Sequence, residues 1–160
     1  MAHHFSPLMT SHLERVLAIE AQSFESPWTQ EKFGAFMGSK TMVCLVMLNP
    51  DRQREVMGYV AFSVGGLAPR LLRLAVAPEY RLQRVGMALV EYAVNAQLAP
   101  GLKPQPGGPE RVIADVPERC VAAQLFFRKL GFARYVTIKG AGGDVYRFSW
   151  AVQQCSGRGK

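Results

Sequence analysis

The spacing of apolar residues changes several times along this chain, and each change marks an element. Leu13, Val16, Leu17, Ala21 and Phe24 recur at offsets of 0, 3, 4, 8 and 11, the period of one helical face. Ser11 and Glu14 just ahead of them have capping-box spacing, so the pattern predicts a first helix over residues 11–24. Ser-Pro-Trp-Thr at 26–29 predicts the start of a second, with Pro27 in its first turn, Phe33, Phe36 and Met37 on one side and Gly38 at its end. Residues 42–48 are unbroken apolar and short, as in a strand buried on both faces. Asn49-Pro50-Asp51 turns the chain, residues 55–64 form the next strand, Gly65-Gly66 closes it, and 71–77 continues an antiparallel meander. A brief strand near residues 5–9 precedes them.

Pro78 stops the third strand of the meander, and beyond a basic turn the spacing becomes helical. Val85, Ala88, Leu89, Tyr92, Ala93 and Ala96 lie at offsets 0, 3, 4, 7, 8 and 11. Residues 99–109 hold four prolines and three glycines, the composition of an exposed loop. A strand over 111–116 follows. Ala122, Leu125, Phe126 and Leu130 mark a last helix that Gly131 caps in the left-handed conformation. Strands over 132–138 and from Tyr146 through Phe148, Trp150 and Val152 make a closing hairpin around the Gly-rich loop 139–144. Helices and strands in this order make a mixed α+β domain.

Composition narrows the reading. The 160 residues, 49% hydrophobic, suit one domain with a sizeable core, taken as residues 1–153, with 154–160 a basic, frayed tail. No apolar run is long enough to span a bilayer, and the start lacks a signal-peptide layout, so a soluble, cytoplasmic protein is expected. Cys44, Cys120 and Cys155 are widely spaced, and His3, His4 and His12 have no ligand partners nearby, which predicts reduced thiols and no metal. The net charge of +7 favours anionic partners. Aromatic and basic residues do not interleave as a single-strand binder needs, which argues against direct nucleic-acid binding.

The strand, basic turn and helix at 71–94 carry the candidate chemistry. The first amides of a helix lack internal partners and face the positive end of its dipole, a natural seat for phosphate. Arg81 and Arg84 add charge, and Gly86 permits close approach to the backbone. A solvated basic turn joining two buried elements fits the same residues.

Three stretches, in this order, resemble the GNAT N-acetyltransferases. Residues 81–86 match the acetyl-CoA signature Arg/Gln-x-x-Gly-x-Gly/Ala, with Arg84 at the first Gly. Ile19-Glu20, Ser23-Phe24 and Pro27-Trp28-Thr29 resemble the opening of the RimI-type ribosomal-protein-alanine N-acetyltransferases. Asp115 through Phe132, ending in Leu-Gly-Phe, resembles their last motif. The resemblance implies a single-domain GNAT fold, a central, mostly antiparallel sheet with a V-shaped splay, flanked by helices. It also implies transfer of acetyl from acetyl-CoA to a primary amine, such as a protein N-terminus, by a monomer or homodimer.

Carried onto this chain, the resemblance assigns cofactor contacts to the backbone of Leu74, Ala75 and Val76 and to Arg81, Leu82, Gln83, Arg84, Val85, Gly86 and Met87. It adds Cys120 and Phe127 and places Trp28 at the acceptor groove. Trp28 equally reads as a core anchor. Asp115 stands where the family has a Glu base; it acts as base, directly or through water, or else caps a helix or pairs with a nearby Arg. Cys120 replaces an Asn. Phe127 replaces the Tyr that protonates the thiolate, which leaves Tyr80, Tyr135 or water for that task. The departures keep two alternatives open: a coenzyme A-binding module with weak catalysis, and a small-molecule amine acetyltransferase.

Overall fold

The computed structural model describes residues 3–64, 69–95 and 111–151. The expected loop at 99–109, Ala96, Gly65-Gly66, Val152 and the 154–160 tail lie outside them. Two helices come first, α1 (Leu13–Ser23) and α2 (Gln30–Gly34), after a short edge strand β1 (His4–Pro7). Then come β2 (Met42–Asn49), β3 (Glu55–Ser63), β4 (Arg70–Val76), α3 (Val85–Asn95), β5 (Arg111–Pro117), α4 (Val121–Lys129), β6 (Ala133–Ile138) and β7 (Val145–Ala151). The strands form one sheet in the order β1-β2-β3-β4-β5-β7-β6, antiparallel except for β4 and β5.

Helix starts depart from the sequence pattern. Ser11 and Glu14 form no capping box; Thr10–His12 make a 3-10 turn, and the Met9 N–H donates to His12 Nδ1 at 3.1 Å. Helix α1 follows the turn directly, and its buried face is Leu13, Val16, Ile19 and Glu20, with Ala21 exposed. Pro27 lies outside α2, whose N-cap is Thr29: its hydroxyl accepts from the Lys32 N–H at 3.2 Å. Helix α2 ends at Gly34, short of the Gly38 the pattern predicted, so Phe36 and Met37 lie in the turns beyond it, which Gly38, at φ +79, closes. The cap of α4 matches its pattern: Gly131 has φ +96, and the Phe132 N–H reaches back to the Phe127 carbonyl at 2.9 Å.

The register sorts side chains onto two faces, because paired residues point the same way and neighbours along a strand point opposite ways. Tyr59, Ala61 and Ser63 share one face with Ala75, Arg73 and Arg70, and through the pairs Arg70↔Ile113 and Asp115↔Arg147 with Asp115 and Arg147. Helix α1 covers this face over β3 and β4. The opposite face carries Gly58, Val60, Phe62, Leu71, Ala114 and Phe148. It is closed by α3, whose Leu89 lies against Gly58, and by α4, whose Phe127 stacks on Phe148.

Between β3 and β4 the pairing passes from Ala61↔Arg73 to Phe62↔Leu71, so Leu72 is an extra residue, a bulge. Bulges bend the strand that holds them. On its other side β4 pairs with β5 only at Arg70↔Ile113 and Leu71↔Ala114. The two strands part where the bulge begins, and this is the V-shaped splay.

Candidate active site

Beyond Leu71 the β5-facing edge of β4 has no ladder partner among the described residues, although Arg73 to Val76 remain extended and paired with β3 on the other side. Alternate residues of such an edge offer N–H and C=O groups to whatever enters the gap. Leu74, Ala75 and Val76, assigned to cofactor binding from the sequence, lie on this edge. The Val76 carbonyl is already engaged by Arg81 Nε at 3.0 Å.

The basic turn follows. Ala88 donates to the Arg84 carbonyl at 3.0 Å, the first bond of α3, so Val85, Gly86 and Met87 carry the amides that precede the helical ladder. Residues Arg81 to Arg84 are exposed. Arg81 also reaches Ser23 Oγ at 3.2 Å, tying the turn to the end of α1, and Gln83 donates to the Glu79 carbonyl at 3.0 Å. Leu82 and Arg84 sit at φ +61 and +63, the left-handed region. Arg84 thus takes the backbone conformation for which a glycine is suited. Gly86 does not need positive φ. A Cβ there would lie 3.1 Å from the Phe126 ring, so the close approach it permits is by α4.

Asp115 lies on the α1 face of β5. Its Oδ1 accepts from Arg147 Nε at 2.7 Å, and its Oδ2 accepts from Arg70 Nη1 at 2.7 Å and Arg147 Nη2 at 2.9 Å. The bonds from Asp115 push the already high pKa of Arg147 further up. To take a proton directly, the carboxylate would have to give up one of these charge-assisted bonds. Of the readings open from sequence, this geometry favours the ion pair.

The sequence reading missed a second acid. Glu20 is completely buried, yet both its oxygens are used: Oε1 accepts from the Trp28 N–H at 2.8 Å and from Arg73 Nε and Nη2 at 2.9 and 2.5 Å, and Oε2 accepts from the Tyr59 hydroxyl. Arg73 further donates to the Ser26 carbonyl at 2.9 Å and lies 3.6 Å over the Phe24 ring. This knot pins the α1–α2 joint to β4. Its signal was in the sequence: Glu20 is seven residues after Leu13, on the apolar stripe, where a charge must be paired.

Trp28 is half-buried between Phe33 and Phe36, each ring 5.5 Å away, with the Arg73 guanidinium 5.0 Å from its own ring. It is both core anchor and part of the wall beside β4. Cys120 is exposed and caps α4 by its carbonyl, accepting from Gln124 N–H at 3.1 Å, with no side-chain cap bond. Phe127 is buried against Phe126, Phe132 and Phe148, a core side chain of α4. Tyr80, a candidate replacement for the missing hydroxyl, is spent elsewhere: it donates to Glu55 Oε2 at 2.9 Å and accepts from Asn49 Nδ2 at 3.1 Å. Tyr135 lies on β6, separated from β5 by β7, at a bulge opposite Arg147.

Among the described residues no helix is long and apolar enough to cross a membrane, and no group of three or more His, Cys, Asp or Glu could hold a metal.

Comparison with solved structures places this architecture among N-acetyltransferases. The ribosomal-protein-S18-alanine N-acetyltransferase of Escherichia coli matches with TM-score 0.75 at 18% identity, over 98% of each chain. NAA60 of Arabidopsis thaliana, in complex with acetyl-CoA, matches with TM-score 0.74 at 20% identity, over 94% of this chain and 98% of that one. A mutant of the spermidine N-acetyltransferase SpeG of Vibrio cholerae matches with TM-score 0.72 at 14% identity, over 99% and 98%. At these identities the likeness is one of fold. No curated protein matches the sequence. The family model described as the acetyltransferase (GNAT) domain matches residues 41–134, more than half of the chain. With the splayed sheet and the turn before α3 in place, the match identifies the chain as a member of the GNAT acetyltransferase family, enzymes that use acetyl-CoA.

Proposed function

We propose that this acetyltransferase acts on the N-terminal α-amine of a protein or peptide. One observation carries the choice: both acids that pair with β4, Glu20 at its buried joint with α1 and Asp115 on β5, are bound by arginines. An ammonium must lose its proton before it attacks the thioester. An α-amine has a pKa of about 7.7–8.0, so a sizeable fraction is neutral near pH 7.5 and water suffices to take the proton. A lysine-like amine, at about 10.4, is neutral about once in a thousand molecules and would need a free base. A polyamine would also meet Arg70, Arg73 and Arg147 on one face of the sheet, and like charges repel.

In this reading the amides of Val85, Gly86 and Met87, with Arg81 and Arg84, take the pyrophosphate, and Leu82 and Gln83 shape the turn. The free edge of Leu74 to Val76 takes the pantetheine arm as a missing strand would be taken, and fixed N–H groups there stabilise the developing oxyanion. Trp28 forms one wall for the acceptor. Asp115 positions Arg70 and Arg147 and contacts the amine through water. Cys120, exposed at the N-cap of α4, bounds the arm, and Phe127 backs it from within the core. The departing thiolate, with a thiol pKa of about 8.5, leaves without the family tyrosine, at some cost in rate.

The test is acetyl transfer measured against pH with three acceptors: a peptide with a free N-terminus, the same peptide N-blocked but carrying lysine, and spermidine. The free α-amine should be used, with kcat/KM rising to a plateau through about pH 8. Preference for lysine or spermidine, or a rise centred near pH 10, would overturn the reading. Acetyl-CoA and desulfo-CoA should each raise the melting temperature, because a ligand of the folded state stabilises it.

A further inference from the structure

Glu20 and Asp115, the two acids paired with β4, are matched differently. Glu20 and Arg73 balance one to one, and Arg73 is also held by the Ser26 carbonyl and the Phe24 ring. Asp115 is shared by two guanidinium groups, so the Arg70–Asp115–Arg147 cluster carries one surplus positive charge. A guanidinium has five N–H donors. Asp115 uses Nη1 of Arg70 and Nε and Nη2 of Arg147, and the Tyr135 side chain also bonds to Arg147, which leaves the further donors of Arg70 as the main open ones. The side chains of Arg70 and Arg147 are 39% and 25% exposed, on the face that α1 leaves open beyond β4. The strands hold both: Arg147 is directly opposite Asp115, and Arg70 stands one rung before β4 and β5 part.

We propose that this cluster is a carboxylate-binding subsite that selects acceptors with an acidic side chain in their second to fourth residue. The proposal rests on the α-amine reading above and names the acceptor class. A second carboxylate would neutralise the surplus charge and relieve the repulsion between the two guanidinium groups that Asp115 alone leaves. Distance sets the position. From Leu74, beside the expected acetyl group, to Arg70 is four residues of strand, about 13 Å at about 3.3 Å per residue. An extended acceptor covers at most about 3.5 Å per residue, so its fourth residue lies about 10 Å in, and the reach of the Arg and Glu side chains spans the remainder for residues two to four.

The experiment uses peptides that differ only at position 2, 3 or 4, each with Glu or Gln, and compares kcat/KM. Glu should exceed Gln about tenfold at one of these positions, the range of a charge-assisted bond, and the ratio should shrink between 50 mM and 0.5 M salt, concentrations spanning about a threefold change in screening length. Arg70→Gln and Arg147→Gln should each bring the ratio towards one, a readout internal to each variant that general loss of activity does not move. A wild-type ratio below two at every position, or a ratio unchanged in both variants, would overturn the proposal. If a variant fails to fold, the salt dependence in the wild type decides. If no peptide is acetylated, the α-amine reading has failed, and the subsite is judged separately by peptide affinity in the presence of desulfo-CoA: tighter binding of Glu peptides supports it and equal binding sinks it.

Discussion

Arg84 shows how one side chain can stand where the backbone asks for none. At φ +63 it pays a steric penalty of about 1–2 kcal/mol that glycine avoids. Its place in the motif was legible in the sequence; its conformation was not, since a non-glycine residue at a turn signals other geometries first. Arg84→Gly should leave the melting temperature of the free protein unchanged or higher, yet shrink the upward shift that coenzyme A gives, because a guanidinium is lost from the turn; a scan with and without ligand reads both. His12 offers a pH-dependent counterpart. Burial lowers its pKa below 6.5, in keeping with an Nδ1 that accepts from Met9 N–H. Above pH 6.5 neither folded nor unfolded chain holds this proton and the contribution to stability is complete. As pH falls below 6.5 the unfolded chain takes the proton first, and stability is lost down to the lowered pKa. Urea midpoints at pH 7.5 and 5.5 should therefore differ more in the wild type than in His12→Asn, which keeps an acceptor and does not titrate.

Among the elements, periodicity revealed helices and strands but not how they begin or bend. The start of α1 depended on a 3-10 turn closed by an imidazole, a pairing with no sequence template. The bulge at Leu72 was hidden inside an apolar run, where one extra residue leaves composition unchanged. Deleting Leu72 should remove the bend without turning any other side chain to the wrong face, since Arg70 and Arg73 already point with their partners on β3. The variant should fold, keep its sheet signal by circular dichroism, and lose most of its thermal shift with acetyl-CoA. The Glu20 knot tests the joint between α1 and β4. Glu20→Ala strands the Arg73 guanidinium, and breaking a buried pair from one side costs about 3–5 kcal/mol. Urea unfolding should show a loss of that order, and a change under about 1 kcal/mol would mean the knot is incidental.

For the whole molecule, the sequence conveyed a mixed domain, its meander and its closing hairpin, because each rests on local spacing. It did not convey which strands are neighbours across long separations. The pairing of β4 with β5 and the ion pairs from Arg70 and Arg147 to Asp115 join residues 45 and 32 apart, and nothing in local periodicity encodes such meetings. Which arginines hold the acids, the feature that bears most on acceptor choice, therefore emerged only from the folded chain.

The strand order has one more consequence. Because β7 lies between β5 and β6, strand β6 is made before β7, the one neighbour it pairs with among the described strands. On the ribosome, its exposed edge must wait for the residues that follow Asp144, and a chain broken off there would keep β6 as a loose end and leave Asp115 without Arg147.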